Sequence, residues 1–168
     1  IIGNQLAKAA VENALWEILS KRTGKSLKTL LGGTQKEIQV GVSLGMEKDI
    51  ASLLAMVEKY LVLGYHRTKI KIKPGKDYEV IKAIREKYPN ITMTVDANSA
   101  YTLKDMPLFK ALDEFNLEYI EQPLGESDIV DHAVLQKNIA TPICLDESIT
   151  SYDAALAAIR LHSCKVIN

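Results

Sequence analysis

Residues 68–96 read TKIKIKPGKDYEVIKAIREKYPNITMTVD, and this stretch determines the fold that we expect for most of the chain. It begins with a β-branched run at 68–73 that is typical of a strand. Residues 77–88 then carry apolar side chains at helical spacing, and Pro89 ends that pattern. A second β-branched run follows at 91–96. A helix that links two strands in this way predicts a parallel pair with a right-handed crossover.

The same alternation continues on both sides of this unit. The other predicted strands cover residues 38–44, 117–122, 142–146 and 164–168. The other predicted helices of this part cover residues 48–63, 103–115, 128–138 and 151–161. Residues 4–20 come before them with helical spacing, and a short helix follows from Ser26 to Gly33. Strict alternation of strands and helices predicts a parallel sheet covered by helices.

Two parallel architectures compete for this pattern. A doubly wound sheet usually has a Gly-rich phosphate loop after an early strand, and Gly41 and Gly45 flank Ser43 without that spacing. A (β/α)₈ barrel instead carries polar residues at the carboxyl ends of many strands, and a complete one needs eight strands and about 250 residues. We therefore predict an α/β fold that is a partial (β/α)₈ TIM barrel, with five βα units and the start of a sixth strand. The expected boundary separates a helical segment at 1–36 from the barrel at 37–168.

Composition excludes several classes of protein. Lys plus Arg number 21 and Asp plus Glu number 21, so the formal net charge is zero, and the basic excess of a nucleic-acid binder is missing. No apolar run approaches the roughly 18–20 residues that a membrane-spanning helix needs. Cys144 and Cys164 lack metal-binding or redox spacing, so we expect reduced thiols in a cytoplasmic protein. The chain begins at Ile1 and ends at 165–168 in what looks like a strand just begun, so we expect a piece of a longer protein.

Four ionisable residues recur at intervals of 25 residues, namely Lys71, Asp96, Glu121 and Asp146. Each lies at or near the carboxyl end of a predicted strand, so one βα unit per interval places them side by side along one rim of the sheet. A single charge at a strand end is usually solvated. Four in register, each beside an apolar residue, are costly unless they pair or bind a metal. The series therefore predicts a functional site.

Three converging carboxylates repel one another, and a hard divalent cation relieves that repulsion. Mg²⁺ favours such all-oxygen ligation, and Mn²⁺ or another divalent cation could take its place. Lys69 and Lys71 share one face of their strand because side chains alternate. A lysine beside a bound cation and a second lysine has its ammonium form disfavoured, which suits a general base. Such a base could remove a proton alpha to a carboxylate while the metal stabilises the enediolate.

The residues around these positions resemble a known family. The matching motifs are Lys69-Ile70-Lys71, Val95-Asp96-Ala97-Asn98, Ile120-Glu121-Gln122-Pro123 and Leu145-Asp146-Glu147-Ser148. The likeness extends over essentially the whole chain through GVSLG at 41–45, IKPG at 72–75, NSAYTL at 98–103 and TPICLDESI at 141–149. The chain thus resembles the enolase superfamily, in its muconate-lactonizing subgroup. Within that subgroup it resembles most the branch of o-succinylbenzoate synthases and N-acylamino acid (N-succinylamino acid) racemases.

The resemblance implies a role for each matching position. The implied Mg²⁺ ligands are Asp96, Glu121 and Asp146. Lys71 would be the base on one face of the substrate, and Lys69 would lie beside it and favour its neutral form. The positions implied around the substrate and behind the ligands are Ser43, which would line the pocket, Asn98, near metal and substrate, and Glu147, which would support the ligands.

The activity that the resemblance implies is Mg²⁺-dependent abstraction of a proton alpha to a carboxylate, through an enediolate. It would serve syn-dehydration to o-succinylbenzoate in menaquinone biosynthesis, racemisation of N-succinylamino acids, or both. The alternatives are another reaction of the subgroup, such as dipeptide epimerisation or cycloisomerisation, and a catalytically incomplete barrel fragment. The implied partners are a small carboxylate substrate and, for the parent enzyme, further copies of itself, with no nucleic acid and no membrane.

The chain also departs from the family pattern. The family has an N-terminal capping domain, and only its helical tail is recognisable here. The family's second catalytic lysine lies on the sixth strand in a motif like N-I-K-P-G, and this sequence stops at Asn168, the first residue of that motif. We therefore expect these 168 residues alone to lack racemase activity, because two-base exchange needs a proton donor on the opposite face.

Overall fold

A computed structural model describes residues 3–168, so Ile1 and Ile2 lie outside the described part. The chain forms two compact units divided between Gln39 and Val40, slightly later than the predicted boundary. The first unit contains helices α1 (Gln5–Thr23) and α2 (Leu27–Leu30). Among residues 3–168, no helix is both long enough and apolar enough to cross a lipid bilayer.

The second unit is built on a parallel sheet. Within residues 40–168 its six strands are β1 (Val42–Leu44), β2 (Arg67–Lys71), β3 (Thr92–Asp96), β4 (Ile120–Glu121), β5 (Ile143–Leu145) and β6 (Val166–Ile167). Each strand pairs in parallel with the next one along the chain, in the order β1-β2-β3-β4-β5-β6. A doubly wound sheet reverses its direction of growth at a switch point, whereas a barrel adds every new strand on the same side. The predicted partial barrel is therefore confirmed.

Helices alternate with these strands. They are α3 (Ile50–Val62), α4 (Tyr78–Lys87), α5 (Met106–Leu112), α6 (Ile129–Asn138) and α7 (Tyr152–Leu161). Four of the five begin behind a side chain that accepts a hydrogen bond from an N–H group of the first turn; these capping residues are Asp49, Asp77, Asp128 and Ser151. Such caps satisfy donors that the helix itself leaves free.

Several sequence predictions were wrong in their limits, and the strand predicted at 117–122, for example, is reduced to Ile120–Glu121. The strand predicted at 38–44 begins only at Val42, whose partner is Thr68 on β2. Residues 38–40 would have to pair with the turn that precedes β2. They therefore have no partner strand for backbone hydrogen bonds. The helix predicted at 103–115 is divided into a 3₁₀ turn at Leu103–Asp105, then α5, then a second 3₁₀ turn at Asp113–Phe115.

The core lies between the sheet and its helices. On β2 the side chains of Thr68 and Ile70 are buried against this layer, and Ile72 continues the same face. The large side chains that are fully buried with them include Ile81, Ile84, Phe109, Leu112 and Leu135. Because side chains alternate along a strand, Lys69 and Lys71 must lie on the opposite face. Burial of the apolar face therefore decides where the lysines point.

Asp113 holds the segment that leads into β5. Its carboxylate accepts hydrogen bonds from the backbone N–H of Ala140 (2.9 Å), the N–H of Thr141 (2.8 Å) and the Thr141 hydroxyl (2.6 Å). Burial acts to raise the pKa of Asp113, but these bonds outweigh it, and the pKa lies below its usual value of 3.8. A carboxyl group with a lowered pKa in the folded state stabilises the fold most when it is ionised.

We expect Asp113→Ala to lower the free energy of unfolding by about 2 kcal/mol at pH 7, because hydrogen bonds to a charged group are lost. The deficit should be complete above the usual pKa of an aspartate and should shrink as the pH falls through the lowered pKa. Urea denaturation at several pH values measures it, with the exposed Glu126 changed to Ala as the control. A deficit that does not vary with pH would contradict the role of the ionised carboxylate.

Candidate active site

The register of the strands brings the predicted residues into one row. Lys71 lies opposite Asp96, and Asp96 lies opposite Glu121. On β5, however, the partner of Glu121 is Cys144, so Asp146 lies two residues further along than strict register would place it. A stagger of this kind is what closing a sheet into a barrel requires. A two-residue offset also keeps the alternation of faces.

Lys69 holds the two most buried carboxylates together. Asp96 is 3% exposed and Glu121 is 1% exposed. The Lys69 Nζ atom lies 2.9 Å from Glu121 Oε1 and 3.1 Å from Asp96 Oδ2. Burial alone would lower the pKa of Lys69, but the hydrogen bonds and charges of the two carboxylates outweigh it and raise the pKa. Lys69 is therefore held as an ammonium ion and is no candidate for the base in this arrangement.

Glu121 has too little positive charge around it. Burial raises the pKa of its carboxyl group, and the charges of Asp96 and Asp146 raise it further, against the opposing effect of Lys69. The charges of Asp96 and Asp146 thus act on Glu121, and Lys69 only partly offsets them together with the effect of burial.

Lys71 is more accessible than Lys69. Its side chain is 40% exposed, against 26% for Lys69, and its Nζ atom lies 3.8 Å from Asp96 Oδ2. The ammonium group also donates a hydrogen bond to Asn98 Oδ1. Of the two lysines, Lys71 is therefore the more accessible to a small molecule.

Asn98 links Lys71 to Glu147. Its side-chain Nδ2 donates to Glu147 Oε1 at 3.0 Å, while its backbone N–H donates to Asp96 Oδ1 at 3.1 Å. A carboxylate can only accept, so Glu147 keeps the amide nitrogen on its own side and leaves Oδ1 to face Lys71. The other oxygen of Glu147 is buried without a hydrogen-bond partner in the described residues.

Ser43 and Asn168 border the same site from the first and last strands. Ser43 is the register partner of Lys69, is exposed, and lines a cleft together with Thr94, Glu121 and Asn168. Asn168 Nδ2 donates to Glu121 Oε1 at 3.4 Å. The sequence reasoning did not assign Asn168 to the site. The available signal was its place at the end of the sixth strand, where the rim positions recur.

The carboxylates form no ready-made metal cage. Within residues 3–168, no group of three or more His, Cys, Asp or Glu side chains is arranged to hold a metal ion. The Lys69 ammonium lies between Asp96 and Glu121 and serves as their cation, and Asp146 lies two residues beyond the register partner of Glu121. The donor chemistry nevertheless fits Mg²⁺, since all the candidate ligand atoms are carboxylate oxygens and the three carboxylates carry more charge than the two lysines paired with them.

A cavity of about 410 Å³ adjoins Lys71, between the loop after β1 and the start of α4. Its apolar lining includes Met46, Ile50, Leu53 and Val80. This volume is in the range of small-molecule pockets. The accessible lysine thus borders a space that suits a small organic molecule.

Two family descriptions match the chain. Residues 52–168 match the enolase C-terminal domain-like family, and residues 1–32 match the mandelate racemase / muconate lactonizing enzyme N-terminal domain. An o-succinylbenzoate synthase of Geobacillus kaustophilus is 53% identical over 165 residues, which cover 98% of this chain and 44% of the relative. An N-succinylamino acid racemase of Thermus thermophilus is 49% identical over 166 residues, which cover 99% and 45%.

Solved structures agree with these sequence matches. An enolase-superfamily member from Listeria innocua has a TM-score of 0.94 at 46% identity, covering 100% of this chain and 45% of that one. A dipeptide epimerase from Enterococcus faecalis, complexed with Mg and the dipeptide L-Leu-L-Tyr, has a TM-score of 0.84 at 28% identity, covering 91% and 44%. The chain thus spans about 45% of the length of the relatives it matches. With one family matched over most of its residues and the same parallel sheet, this chain belongs to the enolase superfamily.

Proposed function

We propose that the full-length protein removes a proton alpha to a carboxylate group, as an o-succinylbenzoate synthase, an N-succinylamino acid racemase, or both. The observation that carries the proposal is the contrast between two lysines on one strand face. Lys69 is locked between buried carboxylates, and Lys71 is accessible beside them. The relatives of these names, at 53% and 49% identity, support the choice of reaction.

In this proposal Lys71 is the base on one face of the substrate. Its Nζ atom lies 3.8 Å from Asp96 Oδ2, and its side chain borders a cavity of about 410 Å³. Asn98 holds its Nζ atom from the side, with an amide whose orientation Glu147 sets. Ser43 would line the pocket at the first strand. A base of this kind has to be reachable and oriented, and Lys71 is both.

We propose Asp96, Glu121 and Asp146 as the residues that hold Mg²⁺, or Mn²⁺ or another divalent cation. When bound, such an ion supplies positive charge to the substrate carboxylate as it becomes an enediolate. The support from this chain is the burial of Asp96 and Glu121 and the raised pKa of Glu121. Lys69 bridges two of these carboxylates and balances part of their charge.

The free thiols of Cys144 and Cys164 support a cytoplasmic location, because reduced cysteines are usual there.

Dipeptide epimerisation is the second candidate reaction, favoured by the fold shared with the epimerase from Enterococcus faecalis. Both reactions would use the same base and carboxylates. A panel of the succinyl cyclohexadiene substrate, N-succinylamino acids and dipeptides distinguishes them by relative kcat/KM.

We expect Lys71→Ala in the full-length protein to lower kcat by about 10²–10⁴-fold, because a positioned general base contributes about that much. Dehydration and racemisation are both assayed. Lys73→Ala is the matched control, since Lys73 lies two residues after the end of β2 and is exposed. Full activity of the Lys71 variant would remove the basis of the assignment, while loss of activity in both variants would indicate a general effect on the loops.

We expect Lys69→Met to destabilise the metal-free protein by about 3 kcal/mol, because it leaves two buried carboxylates without their countercharge. Mg²⁺ should then restore more stability to this variant than it adds to the wild type. Urea denaturation with EDTA or with Mg²⁺ measures both effects, with Lys73→Met as the control. An equal response to Mg²⁺ in variant and wild type would count against Asp96 and Glu121 as ligands.

A further inference from the structure

Gln122 occupies an unusual position directly after Glu121. It is completely buried, at 0% exposed, and its φ is 39°, in the left-handed region that residues other than glycine rarely adopt. A strained backbone and a buried amide are both costly unless surrounding bonds compensate them. The hydrogen bonds of Gln122 with its surroundings must therefore provide this compensation.

The backbone of Gln122 joins the strands on either side of β4. Its N–H donates to the carbonyl oxygen of Cys144 on β5 at 2.8 Å, and its own carbonyl accepts from the N–H of Ser99, in the loop after β3, at 2.8 Å. Gln122 thus extends the hydrogen bonding of the sheet past the last residue of β4, in both directions.

The side chain of Gln122 binds the loop after β5. Its Oε1 accepts from the backbone N–H of Asp146 at 3.0 Å and from that of Ser148 at 3.2 Å. Its Nε2 donates to the Ser148 hydroxyl at 2.7 Å and to the carbonyl oxygen of Leu124 at 3.2 Å. Two acceptor and two donor positions of the amide are therefore all used, so its orientation has one solution.

These bonds lie where the strand ladder leaves a gap. Pairing between β4 and β5 ends with Glu121 opposite Cys144, and Asp146 lies two residues beyond that point. The ladder itself therefore does not position Asp146 against Glu121. The Oε1 atom of Gln122 does so, through the N–H groups of Asp146 and Ser148.

We propose that Gln122 is a positioning residue that holds the loop of Asp146 against the end of β4 and thereby sets the geometry of the metal site. The part that concerns the metal rests on the proposed function; the part that concerns the loop does not. The Oε1 atom of the amide holds the loop, and the Nε2 atom anchors the side chain of Gln122 itself. Loss of the acceptor frees the loop, whereas loss of one partner of the donor does not.

The test compares Gln122→Met with Ser148→Ala in the full-length protein. Methionine keeps the length of the side chain and removes the amide, while Ser148→Ala removes one partner of Nε2 and keeps both bonds to Oε1. Amide hydrogen exchange of residues 144–149 is measured without metal. Mn²⁺ affinity is measured by the electron paramagnetic resonance signal of free Mn²⁺, and circular dichroism checks folding.

We expect Gln122→Met to speed exchange of this segment by at least about tenfold, since its N–H groups lose their acceptor. We expect it to weaken Mn²⁺ binding by about 10–100-fold, the usual effect of removing a group that orients a metal ligand. Ser148→Ala should match the wild type in both measurements. Unchanged exchange in Gln122→Met, or equal effects of the two variants, would overturn the proposal.

Two further outcomes are also decisive. If Gln122→Met does not fold, exchange in the wild type and in Ser148→Ala decides: protected amides at Asp146 and Ser148 in both support the proposal, and rapid exchange in the wild type overturns it. If the wild type binds no Mn²⁺, the proposed metal ligands are wrong. The exchange comparison then still supports or overturns the role of Gln122 in holding the loop.

Discussion

The ion pairs of Lys69 with Asp96 and Glu121 are the constraint on which the rim of this sheet depends. Two carboxylates that are almost completely buried would repel each other strongly without a cation between them. The Lys69 ammonium supplies that charge at 2.9 and 3.1 Å. Its position follows from the parallel register of β2, β3 and β4, which brings the three strand ends level. The strand pairing that forms the sheet therefore also places these charges beside one another.

The two faces of the sheet have different roles, one in stability and the other in the candidate site. One face buries apolar side chains such as Ile70 against the helices, and this burial supplies the stability. The other face collects the lysines and carboxylates, whose charges could not be tolerated in the apolar layer. The shared strand makes the two faces interdependent, because a shift of β2 by one residue would exchange Ile70 with Lys69 or Lys71. The apolar core thus holds the charged residues in register.

Prediction from the sequence succeeded where the signal is local or periodic. The alternation of β-branched runs with helical runs predicted the six strands in order, and the interval of 25 residues predicted that Lys71, Asp96 and Glu121 would lie at neighbouring strand ends. The strand prediction was wrong for residues 38–41, which have no partner strand. The prediction of one continuous helix at 103–115 was also wrong. The positions of Asp146 and Gln122 likewise depend on contacts that local sequence patterns do not reveal. The interval placed Asp146 level with Glu121, whereas the structure offsets it by two residues and joins the gap through Gln122.

The sequence by itself determined the kind of sheet, the face on which Lys69 and Lys71 lie, and the acidic residues that accompany them, because alternation and burial act on near neighbours along the chain. Only the tertiary structure decided which lysine bridges two carboxylates and which is the more accessible, how Asn98 faces Lys71, and how the loop of Asp146 is held. These depend on distances between residues 24 to 52 positions apart in the chain. Such distances are set by strand stagger and loop hydrogen bonds, which no local pattern of residues encodes.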